Sequence, residues 1–397
     1  MHRKYQITIF VVLYFLGTVM DKISMVDLQG QYQKIKQEID NAIHEVIDNA
    51  TFIKGPDVKA FEAELASYLG ANHVIACANG TDALQISLMA LGLKPGDEVI
   101  TPDFTFISTV EVAALLGLTP VITDVEPDTF NMDLTSLQKA ITPRTKVIIP
   151  VHLFGQCANM DAIRQIAAVH QITVIEDVAQ ALSADFIDIS GRRSKAGTLT
   201  RIGCTSFFPS KNLGCFGDGG AIITNDAEVA ERLSAITHHG MRKRYYYDVT
   251  GVNSRLDTLQ AALLRVKLRY LDEYTAARNR AADWYDKTLG GIGGIEIPVR
   301  VPFSTHVFHQ YTLRVDESKR DALKSYLESK GIPSMVYYPV PAHLQKAFLY
   351  LGYREGDFPV SERLCKTVLS IPMHTELKQD QLAFITDNIR DFFNDKL

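Results

Sequence analysis

The chain has 397 residues, of which 46% are hydrophobic, and carries a formal net charge of -5. That length exceeds what one hydrophobic core usually serves, so a large domain and a smaller one are expected. The acidic balance leaves no face-wide excess of lysine and arginine, which argues against nucleic acid as a partner.

The N-terminus opens with His2, Arg3 and Lys4 before an almost wholly apolar run over residues 7–20, the outline of a signal peptide or short membrane anchor. That run is short for a bilayer span, and no A-x-A-like site follows it. The next informative stretch is Val74-Ile75-Ala76-Cys77-Ala78-Asn79-Gly80-Thr81-Asp82-Ala83-Leu84, which reads as strand, tight turn and helix start. Backbone amides at such a helix start, with a threonine hydroxyl, make a phosphate cradle. No G-x-x-x-x-G-K-[ST] occurs, so the turn is not a Walker loop.

After a strand around Val99 come Thr101-Pro102-Asp103-Phe104-Thr105-Phe106, where Phe106 or Phe104 could stack on a flat ring or simply pack in the core. Further β-branched runs at 120–124, 146–150 and 173–176 alternate with helical patterns, which predicts a mainly parallel sheet with helices on both faces. The last of them ends in Glu176-Asp177, with Gln180 one helical turn on. At the carboxyl end of a parallel strand a carboxylate faces the ligand crevice, where it could hold a pyridine nitrogen protonated; it could equally cap a helix.

Thr205-Ser206-Phe207-Phe208-Pro209-Ser210-Lys211 sets a lysine in an apolar, aromatic segment. A desolvated ammonium loses its proton more easily, and the neutral amine attacks aldehydes; read alone, however, Lys211 is more simply a surface lysine beside a turn. Beyond it lies a basic, tyrosine-flanked loop with His238, His239, Arg242, Lys243 and Arg244. Residues 255–289 then read as one long helical stretch, and Gly290-Gly291-Ile292-Gly293-Gly294 is the clearest punctuation. The last third mixes strands such as 311–315 with helices such as 320–330. Eleven histidines include no H-E-x-x-H and no cluster with cysteine, so no structural metal is expected. The five cysteines are widely spaced without a C-x-x-C pair and read as reduced thiols of an intracellular, cytoplasmic protein.

Taken together, Phe52-Ile53-Lys54-Gly55-Pro56, Asn79-Gly80-Thr81-Asp82-Ala83-Leu84, Glu176-Asp177 with Ala179-Gln180, Ser206 to Lys211, and Asn253-Ser254-Arg255-Leu256-Asp257 resemble the sugar aminotransferases of the DegT/DnrJ/EryC1/StrS family. The resemblance runs from about Asp27 to the C-terminus. It implies pyridoxal 5'-phosphate as cofactor and an aspartate-aminotransferase-like (fold type I) architecture: a large cofactor domain over 25–270 with a mainly parallel sheet, and a smaller α+β domain over 271–397. It also implies that residues 1–24 lie upstream of a natural start at Met25, with membrane tethering as the alternative.

The same resemblance implies residue roles. Lys211 would form the Schiff base with the cofactor, Asp177 would pair with the pyridine nitrogen, Gln180 would contact the ring hydroxyl and Phe106 would stack on the ring. Gly80, Thr81, Asp82 through its backbone, and Ser206 would hold the phosphate. Asn253 would reach the cofactor phosphate of a partner subunit, making a homodimer with shared sites. Arg255, His309, Tyr338 and His343 would meet the substrate. Several of these runs are similar to members that aminate the 3-oxo form of UDP-N-acetylglucosaminuronic acid, with glutamate as donor; a dTDP-linked 3-oxo or 4-oxo deoxysugar is the alternative, and a non-catalytic regulator with the same fold a further one.

Overall fold

The computed structural model describes residues 21–394. The apolar N-terminal run over 7–20 lies wholly outside the described residues, as do all but residues 21–24 of the segment expected to be an extension or anchor. Residues 21–24 pack against the C-terminal region, with Ile23 buried there and Asp21 paired with Lys378 at 2.6 Å.

The described residues build fourteen strands: β1 (His73–Cys77), β2 (Glu98–Pro102), β3 (Thr119–Thr123), β4 (Thr145–Ile148), β5 (Thr173–Asp177), β6 (Asp185–Ile187), β7 (Arg193–Lys195), β8 (Ile202–Ser206), β9 (Gly220–Thr224), β10 (Met241–Lys243), β11 (Tyr246–Tyr247), β12 (Ile295–Glu296), β13 (Tyr311–Val315) and β14 (Val368–Ile371). Seven of them form the central sheet in the order β1-β9-β8-β5-β4-β2-β3. Neighbours from β8 to β3 run parallel, whereas β9 is antiparallel to both β1 and β8. Strands such as β2 and β9 are buried at every position, as expected of a sheet covered on both faces. One apolar layer gathers Phe61, Leu65, Ile163 and Leu263, and another gathers Ile86, Val112, Leu233 and Ile236. The architecture is therefore α/β with a mostly parallel sheet.

A further core joins Tyr285, Tyr311, Leu313, Leu323, Ile371 and Ile385 around the three-stranded sheet β12-β13-β14. The helical stretch expected over 255–289 breaks in two, Thr258–Leu268 and Leu271–Leu289. At the break, Arg269 and Tyr270 both turn to Glu38. Among the described residues no helix is long and apolar enough to cross a membrane, and no group of three His, Cys, Asp or Glu could hold a metal ion.

Candidate active site

At the carboxyl ends of the parallel strands a cavity of about 630 Å³ opens, lined by Gly80, Thr81, Asp82, Phe106, Asp177, Gln180, Ser206, Lys211, His309 and Tyr338 among others. Residues up to 258 positions apart in the chain thus meet at the crevice that open α/β sheets present to ligands.

Asp177 and Glu176 end β5 and point to opposite faces of the sheet. Glu176 is saturated: it accepts from the N–H groups of Gly197 (2.8 Å), Leu199 (2.8 Å) and Thr200 (2.9 Å) and from the Thr200 hydroxyl (3.1 Å). It also meets His152 Nε2 at 3.1 Å, and His152 Nδ1 accepts the Ala158 N–H, so the imidazole carries its proton on Nε2. Asp177 faces the cavity, where its Oδ1 accepts the Ala179 N–H (2.9 Å). Burial pushes its carboxyl above the ordinary range, against the pull of the Ala179 bond and of Lys211.

Lys211 sits in the loop between β8 and β9. The loop is wound tightly: Phe207 N–H donates to Gly219 at 2.7 Å and Cys215 N–H to Phe207 at 2.8 Å, while Asn212 Nδ2 reaches Val307 O at 2.9 Å. A side chain on Gly214 would stand 2.3 Å from Pro209 O, so the turn requires glycine there. Burial brings the Lys211 ammonium down to about 8, with Asp177 opposing. Reductive alkylation by a small aldehyde, followed residue by residue with mass spectrometry across about pH 6 to 10, is expected to rise at Lys211 and level off near pH 8. A rise continuing to the usual lysine value of 10.5 would mean that the amine is solvated.

The helix Gly80–Ala90 starts at the cavity's edge, capped by Asn79, whose Oδ1 accepts the Asp82 N–H at 2.8 Å. The Asp82 N–H, expected to hold the phosphate, meets the cap in this structure, and the first-turn donors free to face an anion are those of Gly80 and Thr81. The Ser206 hydroxyl stands beside them. A Cβ on Gly80 would lie 2.7 Å from Ser206 Cβ, so glycine lets helix start and strand end approach.

Gln180 is oriented by Phe154, whose N–H it accepts at 2.8 Å, and donates to the Tyr338 hydroxyl at 3.1 Å. Phe106 is 55% exposed and stands against Tyr338 with ring centroids 6.4 Å apart. His309 is buried and its Nδ1 has no protein partner, although its backbone is tightly held. Arg278, buried in the helix Leu271–Leu289, donates to the carbonyls of Phe308 (3.0 Å), His309 (3.3 Å) and Met373 (3.0 Å). Burial, then the charges of Lys211 and Arg278, hold the His309 imidazole well below its usual value and keep it neutral.

Three expected site residues lie elsewhere. Residues 253–257 run extended, with Ser254 and Leu256 turned into the core; Asn253 is exposed and Arg255 half-buried, and neither lines the cavity of its own chain. His343, expected to meet the substrate, does not line the cavity: its side chain is wholly buried and bonded to Asp103. The basic loop is an exposed β10-β11 hairpin in which Lys243 and Arg244 lie over Tyr246 and Tyr245. Conversely, Thr105, Phe154, Ser210, Asp218, Gln310 and Tyr337 line the cavity without having been singled out as site residues. Phe154 had a local signal, the Gly155 beside it, where a Cβ would meet Phe308 N at 2.8 Å.

The arrangement fits pyridoxal phosphate. Two buried polar atoms on the wall, Thr105 Oγ1 and His309 Nδ1, have no partner in the protein. The anion cradle, the Asp177 carboxylate and the Lys211 amine supply the three complementary groups that a phosphate, a ring nitrogen and an aldehyde require.

Comparison with known proteins agrees with this geometry. The DegT/DnrJ/EryC1/StrS aminotransferase family matches residues 33–390. The chain is 46% identical over 373 residues to the pleiotropic regulatory protein of Geobacillus stearothermophilus, covering 94% of this chain and 98% of that one. It is 46% identical over 363 residues to the UDP-2-acetamido-2-deoxy-3-oxo-D-glucuronate aminotransferase of Pseudomonas aeruginosa, covering 91% and 98%. The crystal structure of DesV from S. venezuelae in complex with a ketimine intermediate superposes with a TM-score of 0.90 at 40% identity, covering 94% and 99%. With a match across nearly all of its length and a cavity that assembles lysine, carboxylate and anion cradle, the chain belongs to the DegT/DnrJ/EryC1/StrS aminotransferase family and is a pyridoxal-phosphate enzyme.

Proposed function

We propose that the enzyme transfers an amino group from glutamate to the oxo carbon of a nucleotide-linked sugar, and that its acceptor is the UDP-linked 3-oxo uronate with a 2-acetamido group. The observation that carries the reaction is the convergence of Lys211 and Asp177 on one cavity beside the Gly80–Ser206 cradle. The acceptor is supported by the 46% identity to the Pseudomonas aeruginosa enzyme.

When bound, the cofactor supplies an electron sink for the carbon that exchanges its proton. Lys211, neutral above about pH 8, would take the proton from the donor's α-carbon in one half-reaction and deliver a proton to the acceptor's carbon in the other. Asp177 holds a positive charge on the ring nitrogen and so favours loss of the proton. The Gly80 and Thr81 amides and the Ser206 and Thr81 hydroxyls bind the phosphate, and Phe106 covers the ring.

The acceptor carries a carboxylate and a diphosphate, yet among the described residues lining the cavity the one cation is Lys211. Arg255, Lys54 and the cationic β10-β11 hairpin lie outside the cavity of their own chain, and we assign them to the site of a second copy, with Asn253 beside them. A homodimer follows from this reading, and the five buried free thiols fit a cytoplasmic enzyme.

Absorbance of the cofactor-loaded protein tests both half-reactions. A band near about 420 nm is expected to move to about 330 nm with glutamate and to return with the UDP-linked 3-oxo uronate. Return with a dTDP-linked 3-oxo sugar instead would correct the carrier. A band that glutamate never shifts would remove glutamate as the donor.

A further inference from the structure

Away from the cavity, an imidazole lies sealed between two carboxylates. His343 and Asp103 are both fully buried. Asp103 Oδ1 accepts the His343 N–H at 2.8 Å, Asp103 Oδ2 lies 2.8 Å from His343 Nδ1, and the Asp103 carbonyl accepts the Ala342 N–H at 3.2 Å. On the other side His343 Nε2 is 3.3 Å from Glu362 Oε1, close enough for charge attraction but outside good hydrogen-bond geometry. Phe358 packs edge-on against the ring, with centroids 4.9 Å apart.

This cluster anchors one end of a strap over residues 335–343. The other end is Met335, which exchanges two backbone hydrogen bonds with Ser370 of β14, at 3.0 and 2.7 Å. Between the anchors, Tyr337 and Tyr338 enter the cavity wall. Asp103 directly follows β2 and precedes Phe104 and Phe106, whose rings lie 6.0 and 6.4 Å from that of Tyr338. The segment beside His343 is itself fixed to the next strand end, because Asp124 accepts the N–H groups of Val360 (3.0 Å) and Ser361 (2.9 Å). Of the groups assigned to the cofactor, Lys211, Asp177 and the Gly80–Ser206 cradle stand on strand ends and loops of the central sheet apart from the strap, whereas Gln180 and Phe106 touch it at Tyr338.

We propose that His343 is a positioning residue for the sugar acceptor: its bonds to Asp103 fix the strap and thereby the placement of Tyr337 and Tyr338 against the acceptor. This rests on the reading of the cavity as an amino-sugar site. A small amino donor needs little of that wall, whereas a nucleotide sugar must be oriented along it.

The test compares wild type with His343→Phe, which keeps the contact to Phe358 but removes the imidazole's bond to Asp103 Oδ2, leaving the backbone bond to Oδ1. The double variant D103L/H343F removes both partners together, so that no buried charge is left alone even where the single variant folds poorly. Hydrogen exchange of residues 335–343 is expected to quicken about tenfold or more, while that of β1 is unchanged. In the cofactor-loaded protein, kcat/KM of the sugar half-reaction is expected to fall about 10- to 100-fold, and that of the glutamate half-reaction by no more than about threefold. Unchanged exchange in the strap of either folded variant overturns the proposal, as does an equal loss in both half-reactions. If wild type fails to react with the sugar, the acceptor assignment falls, and strap exchange still decides the role of His343.

Discussion

Replacing Lys211 with alanine is expected to lower kcat/KM of both half-reactions by on the order of 10⁴-fold or more, because in the proposed mechanism one amine is both the covalent holder of the cofactor and the proton carrier. The rest of the site explains why nothing substitutes for it. Asp177 faces the same cavity but must stay ionised to do its work, and His309 is held neutral by burial and neighbouring charge, with its backbone fixed by Arg278. The cofactor should still bind, through the Gly80–Ser206 cradle, but its absorbance should be that of a free aldehyde. The fold should not suffer: below about pH 8 the native protein carries Lys211 charged in surroundings that disfavour the charge. The folded value lies below the unfolded one, so this cost is present at low pH and fades as pH rises from about 8 towards 10.5. The apo variant should therefore melt no lower than wild type at neutral pH. Residual activity above about one hundredth of wild type would show that Lys211 is not the proton carrier.

The second large effect is expected for Asp177→Asn. The amide keeps the shape and can still accept the Ala179 N–H, so the geometry should survive while the negative charge is lost. Without that charge the ring nitrogen has no ion partner, and the proton at the reacting carbon becomes less acidic. A loss on the order of 10³-fold in kcat is expected, with cofactor affinity much less affected. Deuterium wash-in at the donor's α-carbon isolates this step, and a variant within about tenfold of wild type there would reassign Asp177 to a structural role. Burial raises the Asp177 carboxyl in the empty protein, and a cationic ring beside it pulls the value back down. Bound cofactor should therefore lower the pH at which the carboxylate takes up a proton, which infrared spectroscopy of the carboxyl band can follow.

Residues that sit where composition changes abruptly were readable in the chain alone. Asp177 ends a β-branched run, Lys211 interrupts an aromatic one, and Gly80 follows a strand and an N-cap. Each position is dictated by local pattern, so each lands in the cavity. The direction of β9 was not readable, because burial on both faces looks the same whichever way a strand runs. His343 misled for another reason: its sequence neighbours are aromatic and prolyl, while the partner that fixes it is 240 residues away. Asn253 and Arg255 sit on an alternating extended segment, and the pattern cannot say whether its outer face meets solvent, its own cavity or a second copy. No local pattern singles out Arg278, and only the folded chain shows the three carbonyls that take it inside.

The two adjoining carboxylates of β5 differ chiefly in which way they face. Glu176 has every valence occupied, and Asp177 keeps one edge open to the hollow. Side chains alternate along a strand, so losing or gaining a single residue within β5 would trade their places, turning the glutamate to the ligand side and the aspartate towards donors set at the wrong reach. The enzyme should consequently survive many point changes at positions 173–175 that preserve size and polarity, yet have almost no tolerance for length variation in the strand. In a library of random variants, the first three positions of β5 would tolerate substitution far better than the strand tolerates insertion or deletion.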